Sequence, residues 1–433
     1  MISRINANRI LAFAFTAVST FTLGAQTAHP ALEKYNLLPA PETSALLLKK
    51  GDRLAICGDS ITEQKMYSRM IETYLTVCVP DLNVTVRQYG WSGERADGFL
   101  RRMTNDVLRF QPTIATTCYG MNDHEYKPYE DRIGNAYSNN TLGVIKGFKG
   151  ANVRLVVGSA GTVGKMPSWV KSATGTVEDL NMNLARLRNI DVELAKAENV
   201  TFADVFSPMV VSGDEGQKRF GPDFMISGKD GVHPGFAGQT VMAYAYLRAL
   251  GLDGNLGTIT VDLKSGTATA ENGHQVVESK PGTVTIKSTR YPYCATGNPN
   301  TDDSIRAAMV LIPFNEKLNR LTLVAKGGSA AKYKVVWGKK SLAYSAEELA
   351  KGINLAADFA VNPFSEAFAK VEAAVLAKQT YETRQIKELV HKDEGRADME
   401  GTFSVTEKAR APLAAAIRSS FAPVTHTLQI VAE

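Results

Sequence analysis

The chain is predicted to be an α/β protein built on a parallel sheet. Three observations predict this. From about Gly51 to Gly251 short apolar runs alternate with longer amphipathic segments, the signature of strands joined through covering helices. The expected strands are five to seven residues long and are separated by helical segments at least twelve residues long. Chemistry-bearing residues gather where these runs end, and in open α/β sheets that edge is where ligands bind.

The expected strands are Arg53–Cys57, Asn83–Tyr89, Thr113–Tyr119, Arg154–Gly158 and Val200–Val205. The expected helices between them are Met66–Val77, Ala96–Phe110, Asn135–Phe148 and Val177–Ala197, with Ala237–Leu250 closing the lobe. In the fourth helix Leu180, Leu184, Leu187 and Val192 fall roughly on one face. Composition changes after Gly251. Asp253–Ile286 is rich in Thr, Val and Gly with a turn at Asn272-Gly273, so β-hairpins are expected, and Leu321–Val324 and Tyr333–Trp337 add strands. Beyond Ser345 the pattern turns helical, clearest over Glu366–Val390 and Glu407–Arg418, and the chain ends in a strand-like run, Thr427–Val431. The organisation expected is therefore a signal segment at 1–25, a first lobe over 26–252, a mainly β accessory region over 253–344 and a mainly helical region over 345–433.

At 433 residues, 44% hydrophobic and 21% charged, the composition is that of a globular chain long enough to bury a large core. The formal charge is +5, with basic residues scattered rather than clustered, so charge gives no reason to expect nucleic acid. Met1–Ala28 reads as a basic n-region, an apolar stretch from Ile10 to Leu23 and small residues at Gly24 and Ala25, the layout of an export signal cleaved near Ala25. The stretch is shorter than the ~20 residues of a spanning helix and contains Thr16, Ser19, Thr20 and Thr22, so no transmembrane span is expected, and the expected location is secreted or periplasmic. Cys57, Cys78, Cys118 and Cys294 are even in number and an oxidising compartment permits pairing, but buried thiols at strand ends account for Cys57 and Cys118 equally well.

The first strand ends in Gly58-Asp59-Ser60-Ile61-Thr62. Taken alone, a serine there reads as a helix cap. After the second strand comes Gly90-Trp91-Ser92-Gly93-Glu94-Arg95, after the third Gly120-Met121-Asn122-Asp123, and before the last helix Asp230-Gly231-Val232-His233-Pro234. All four segments can converge on one sheet edge.

In this order, Gly-Asp-Ser, a lone glycine, Gly-x-Asn-Asp and Asp-x-x-His resemble the four blocks of the SGNH (GDSL-type) hydrolase family, over about Leu54 to Leu250. The resemblance implies a three-layer sandwich around a flavodoxin-like parallel sheet and a hydrolase of carboxylic esters. Matched block by block, it puts the nucleophile at Ser60, oxyanion donors at Ser60, Gly93 and Asn122, and the acid–base pair at Asp230 and His233.

The chemistry asks for the same residue types. A serine hydroxyl is a weak nucleophile at neutral pH, so an imidazole such as His233 must take its proton and return it to the leaving alcohol. A carboxylate must hold that ring in one tautomer, and Asp230 lies three residues away; Asp214 and Asp223 are weaker candidates. Glycine lets a backbone amide approach a developing oxyanion, and asparagine offers an N–H without charge.

Asp59 and Asp123 are expected to tie down their loops. Trp91 and His124 are candidate substrate contacts, though His124 reads more readily as a surface or turn histidine. The Tyr291-Pro292-Tyr293 cluster reads as a turn or a sugar platform, and Asn298–Asp303 as a turn or a calcium loop. His274, His391 and His426 lack neighbours at metal-ligand spacing, so neither metal nor cofactor is expected. The expected function is an exported serine esterase acting through an acyl-Ser60 intermediate on acetylated polysaccharide. A lysophospholipase or general short-chain esterase is the alternative, and a non-catalytic carbohydrate binder on the same scaffold is the alternative of another class. The expected partner is a small ester or acetylated glycan; the oligomeric state is left open.

Overall fold

The computed structural model describes residues 29–301 and 303–433; the expected signal segment lies outside the described residues. Five strands, β1 (Arg53–Gly58), β2 (Thr85–Gly90), β3 (Ile114–Cys118), β4 (Arg154–Gly158) and β5 (Thr201–Ala203), form a parallel sheet in the order β2-β1-β3-β4-β5. The first lobe's helices are α1 (Ser60–Glu63), α2 (Tyr67–Val77), α3 (Ala96–Asp106), α4 (Asp131–Gly150), α5 (Val177–Glu198), α6 (Phe206–Phe220) and α7 (Phe236–Ala249).

Strand alternation sorts side chains onto two faces. Leu54, Ile56, Ile114 and Val156 pack with Ile71, Leu75 and Val241 of α2 and α7; Ala55, Cys57, Ala115 and Val157 pack with Phe99, Ile145 and Phe148 of α3 and α4. Both faces are covered, which gives the three expected layers. The sheet order reverses between β1 and β3, and a crevice opens there at the carboxyl edge. The helix α6 was not expected from the sequence. Its Gly213, Gly216 and Pro208 depress helical propensity, and packing against the closing helix overrides them.

The rest of the chain comprises β6 (Asn255–Asp262), β7 (Ala268–Ala270), β8 (His274–Lys280), β9 (Thr283–Ser288), α8 (Ile305–Ala308), α9 (Phe314–Leu318), β10 (Arg320–Lys326), β11 (Lys332–Trp337), β12 (Lys340–Ser345), α10 (Ala346–Lys351), β13 (Ile353–Asn354), α11 (Leu355–Asp358), α12 (Ser365–Arg384), a π-helical turn (Gln385–Val390), α13 (Asp393–Ala397), α14 (Met399–Ser420) and β14 (Val424–Ala432). Two further sheets result, β13-β10-β6-β7 and β12-β11-β14-β9-β8. The last strand of the chain, β14, lies in the middle of the second of these, between β9 and β11. Asn272 and Gly273 both have positive φ, as the turn expected there requires, but they carry the chain from β7 in one sheet to β8 in the other. The hairpin proper joins β8 to β9 through Pro281-Gly282.

The later region is continuous with the first lobe. Tyr74 of α2 donates its hydroxyl proton to Leu318 O (2.6 Å), and α12 packs on both α2 and β2. Tyr291 and Tyr293, read as a turn or a sugar platform, are buried instead against Phe364 and Phe421 and against Phe314 and Phe368. Asp303 of the candidate calcium loop accepts the Ala237 N–H (3.1 Å) at the start of α7. All four cysteines are free and buried; Cys57 and Cys118 lie on opposite faces of the parallel sheet. Among the described residues no helix is long and apolar enough to cross a membrane.

Candidate active site

Asp59, not Ser60, caps α1: its Oδ1 accepts the Ile61 N–H at 2.9 Å. The Ser60 hydroxyl is thereby left free, and it sits 2.8 Å from His233 Nε2. At the other side of the ring His233 Nδ1 lies 2.7 Å from Asp230 Oδ2. A carboxylate only accepts, so the neutral ring carries its proton on Nδ1 and turns the free Nε2 lone pair toward the serine. Asp230 is fixed in turn, since its Oδ1 accepts the N–H groups of Val232 (2.9 Å) and His233 (2.8 Å). Burial raises the Asp230 carboxyl, but these two N–H groups and the ring outweigh it and hold the group below its ordinary value. Asp214 is paired with Lys218 instead (2.7 Å), while Asp223 lines the cavity beside His233.

The Trp91 carbonyl accepts the Glu94 N–H (3.1 Å), closing a four-residue turn whose third residue is Gly93 at φ +76°. That position of a type II turn requires positive φ, so glycine is demanded by conformation and not by crowding: a Cβ there meets nothing within 4 Å. At Gly90 the reason is the opposite, since a Cβ would lie 2.2 Å from Glu63 N and push the two loops apart. Asn122 joins the same loops. Its Nδ2 donates to Glu94 O (3.1 Å) and, at a longer 3.4 Å, to Asp59 Oδ2. The Tyr126 hydroxyl donates to Asn122 Oδ1 (3.1 Å), which turns the amide so that its N–H protons face the other two loops. Glu125 and Tyr126 both adopt left-handed backbone, at a cost of about 1–3 kcal/mol each, to bring that hydroxyl over the asparagine.

Both aspartates expected to tie loops do so. Asp123 accepts the Ala96 and Gly120 N–H groups, each at 2.9 Å, pinning the third block to the start of α3. Burial pushes the Asp59 carboxyl up to about 7 and that of Asp123 up to about 6.

His124 lies in a turn, as one reading of it had it, but not at the surface. Its ring is fully buried, Nδ1 lies 2.5 Å from Met121 O, and burial pushes its pKa down to about 4, so it neither lies at the surface nor reaches a substrate. Trp91 is half-buried beneath the turn, edge-on to His391 at 5.0 Å, and lines a cavity of about 1020 Å³ together with Gly93, Arg95, Asp123 and His391. A smaller cavity of about 460 Å³ opens beside His233 between Gln64, Asp223, Met225, Lys229 and Asp303. Trp169 stands next to the base with its ring 5.7 Å from the imidazole and 48% exposed. Sequence reasoning missed the placement of Tyr126, which sits in a loop with no periodic signal.

Such an arrangement can run acyl transfer. With an ester carbonyl set against Ser60 Oγ, the geometry allows the serine proton to pass to His233 Nε2, Asp230 to stabilise the imidazolium, and the proton to be handed on to the departing alcohol.

Doubly covered parallel sheet, switch-point crevice and a serine–histidine–aspartate relay together define a serine-type ester hydrolase. Residues 56–241 match the model of the GDSL-like lipase/acylhydrolase family. No curated protein matches the chain in sequence. Among solved structures the chain is similar to a gut microbial diltiazem-metabolizing enzyme, at 22% identity and a TM-score of 0.71 over 91% of this chain and 100% of that one. That likeness is one of fold, and its extent takes in the C-terminal region. It is also similar to a catalytic mutant of an acetylxylan esterase from Geobacillus stearothermophilus (19% identity, TM-score 0.39, 47% of this chain and 96% of that one). A GDSL-like lipase from Parabacteroides merdae matches to the same degree (21%, 0.39, 48% and 99%).

Proposed function

We propose that the chain is an exported serine esterase that removes acetyl groups from polysaccharide through an acyl-Ser60 intermediate. Ser60 is the nucleophile, His233 the general base and acid, and Asp230 its orienting carboxylate. The Ser60 and Gly93 amides receive the oxyanion, and the Asn122 side chain joins them by exchanging its long 3.4 Å contact with Asp59 for it.

The observation that carries the choice of substrate is the make-up of the cleft beside His233. Of the sizeable apolar residues in segments 158–175 and 214–230, which flank the base, Val163, Phe224 and Ile226 are buried in the core, Met166, Val170 and Phe220 pack against it, and Met225 lines the cavity. What lines the cavity near the base is Gln64, Asp223, Lys229 and Asp303 with two isolated apolar side chains, Met66 and Met225, and the flat ring of Trp169 stands beside the imidazole. Long acyl chains gain about 0.8 kcal/mol per methylene only where a continuous apolar groove receives them. A polar wall with one exposed indole suits a sugar ring instead.

The expected result is that kcat/KM for p-nitrophenyl esters falls from acetate through butyrate to decanoate. A rise with chain length would replace the acetyl reading by a lipid one.

A further inference from the structure

The turn that carries Gly93 is held from outside the first lobe. Glu63, the last residue of the helix that begins at Ser60, accepts the Ser92 N–H (2.5 Å) and the Ser92 hydroxyl proton (2.7 Å) through Oε2. Both Glu63 oxygens lie 2.8 Å from Lys387 Nζ, which comes from the π-helical turn in the C-terminal region. On the other side of Gly93, Glu94 takes two hydrogen bonds from Arg102, from Nε (2.6 Å) and Nη2 (2.7 Å). Arg102 Nη1 is 3.5 Å from Asp106, and both oxygens of Asp106 are within 2.9 Å of His391 Nε2. The Trp91 ring is in contact with Lys387 Nζ (5.5 Å), Arg102 (5.1 Å) and His391 (5.0 Å).

Ser92 and Glu94, the two neighbours of Gly93, are thus each tied to one turn almost 300 residues away in sequence, while Gly93 itself has open space where a side chain would stand. In the widened π turn the His391 N–H bonds back to Ile386 O (3.2 Å), and Lys387 and His391 reach the same loop from it; such turns are rare and recur at functional sites.

We propose that Lys387, acting through Glu63 and Ser92, is a positioning residue for the oxyanion amide of Gly93, with His391 bracing the other side through Asp106 and Arg102. This rests on the reading of Ser60 and Gly93 given above. An oxyanion donor works only when it is already in place as charge develops, and a displacement near 1 Å can cost about a hundredfold in rate. Lys387 and Glu63 are each about one-fifth to one-quarter exposed, so the pair is shielded enough to hold the loop in one position. Burial raises the Glu63 carboxyl, but Lys387 and Ser92 outweigh it and keep the group below its ordinary value and charged. A shared structural role alone would not separate kcat from KM; a misplaced oxyanion donor does.

The test is kcat and KM on p-nitrophenyl acetate for Lys387→Met and Lys387→Arg, with thermal unfolding of each and with Ser60→Ala in the same assay. Expected for Lys387→Met is a fall in kcat of about 10- to 100-fold at nearly unchanged KM and melting temperature, with Lys387→Arg restoring most of the turnover. Wild-type kcat in Lys387→Met overturns the proposal. So does a loss that tracks a lowered melting temperature and is not recovered by arginine. If Ser60→Ala is inactive while Lys387→Met is fully active, only the brace fails; if Ser60→Ala is active, the nucleophile assignment itself fails.

Discussion

Ser60→Ala and His233→Ala are each expected to remove nearly all esterase activity, with kcat lowered about 10⁴- to 10⁶-fold and the fold intact. The size follows from the shared proton. The serine oxygen becomes a strong nucleophile only as its proton moves the 2.8 Å to His233 Nε2, so either partner alone is as poor as neither, and the double variant should be no worse than the singles. The fold should persist because the Ser60 hydroxyl caps nothing, that task falling to Asp59, and because the His233 side chain is only partly covered. Turnover of p-nitrophenyl acetate together with circular dichroism checks both halves of the expectation. Wild-type turnover in Ser60→Ala would contradict it.

The largest expected loss of stability is at Lys378→Met. Lys378 is 1% exposed, and its ammonium lies 2.8 Å from Glu72 of α2, 3.1 Å from Glu382 on its own helix and 2.5 Å from the Val86 carbonyl of the edge strand β2. Around it Gln379 donates to Glu72 (2.7 Å), the Gln88 N–H donates to Glu382 (3.1 Å) and Arg410 pairs with Glu382 (2.6 Å). Burial raises the Glu72 carboxyl. Burial raises that of Glu382 too, but Lys378, Arg410 and Arg87 together outweigh it and keep it charged. Methionine fills the volume of the lysine stem but leaves two buried carboxylates facing each other with one cation fewer. Removing one member of a buried ionic network costs about 3–5 kcal/mol, because the remaining charge stays buried and uncompensated. Denaturant unfolding should show that loss, and the double variant with Glu72→Gln should recover part of it. A change below about 1 kcal/mol would mean that water reaches the cluster and screens it.

These two sites differ in how far the sequence alone could reveal them. The sheet was legible because β1, β3 and β4 are buried on both faces, so their apolar runs are uninterrupted. The four loops were legible because the chemistry of each block restricts the residue type. Gly93 could be recognised from its place in the second block, although the reason found for it is the left-handed conformation of its turn and not close approach, and Asp230 for its spacing from His233. The C-terminal helices carried no such signal. The inward face of α12 presents Lys378, Gln379 and Glu382, which periodicity counts as a solvated face, although they are buried against β2 and α2. His124 misled for a related reason: a polar ring next to a functional block looks like a site residue, but Asp123 and the backbone turn direct it into the core. Lys387 and His391 could not be connected with Gly93 at all, since the contact depends on how far-separated segments pack and not on any local pattern.

The central claim is that Ser60 is the group that bonds to the acyl carbon. An alkyl fluorophosphonate reports on it directly, because phosphorus takes the place of that carbon and the serine adduct is stable. Digestion with trypsin after labelling should yield one modified peptide, Leu54–Lys65, with the added mass on Ser60, inhibition proportional to labelling, and no adduct in Ser60→Ala. Stoichiometric modification of another residue, or esterase activity that survives complete modification of Ser60, would contradict the account.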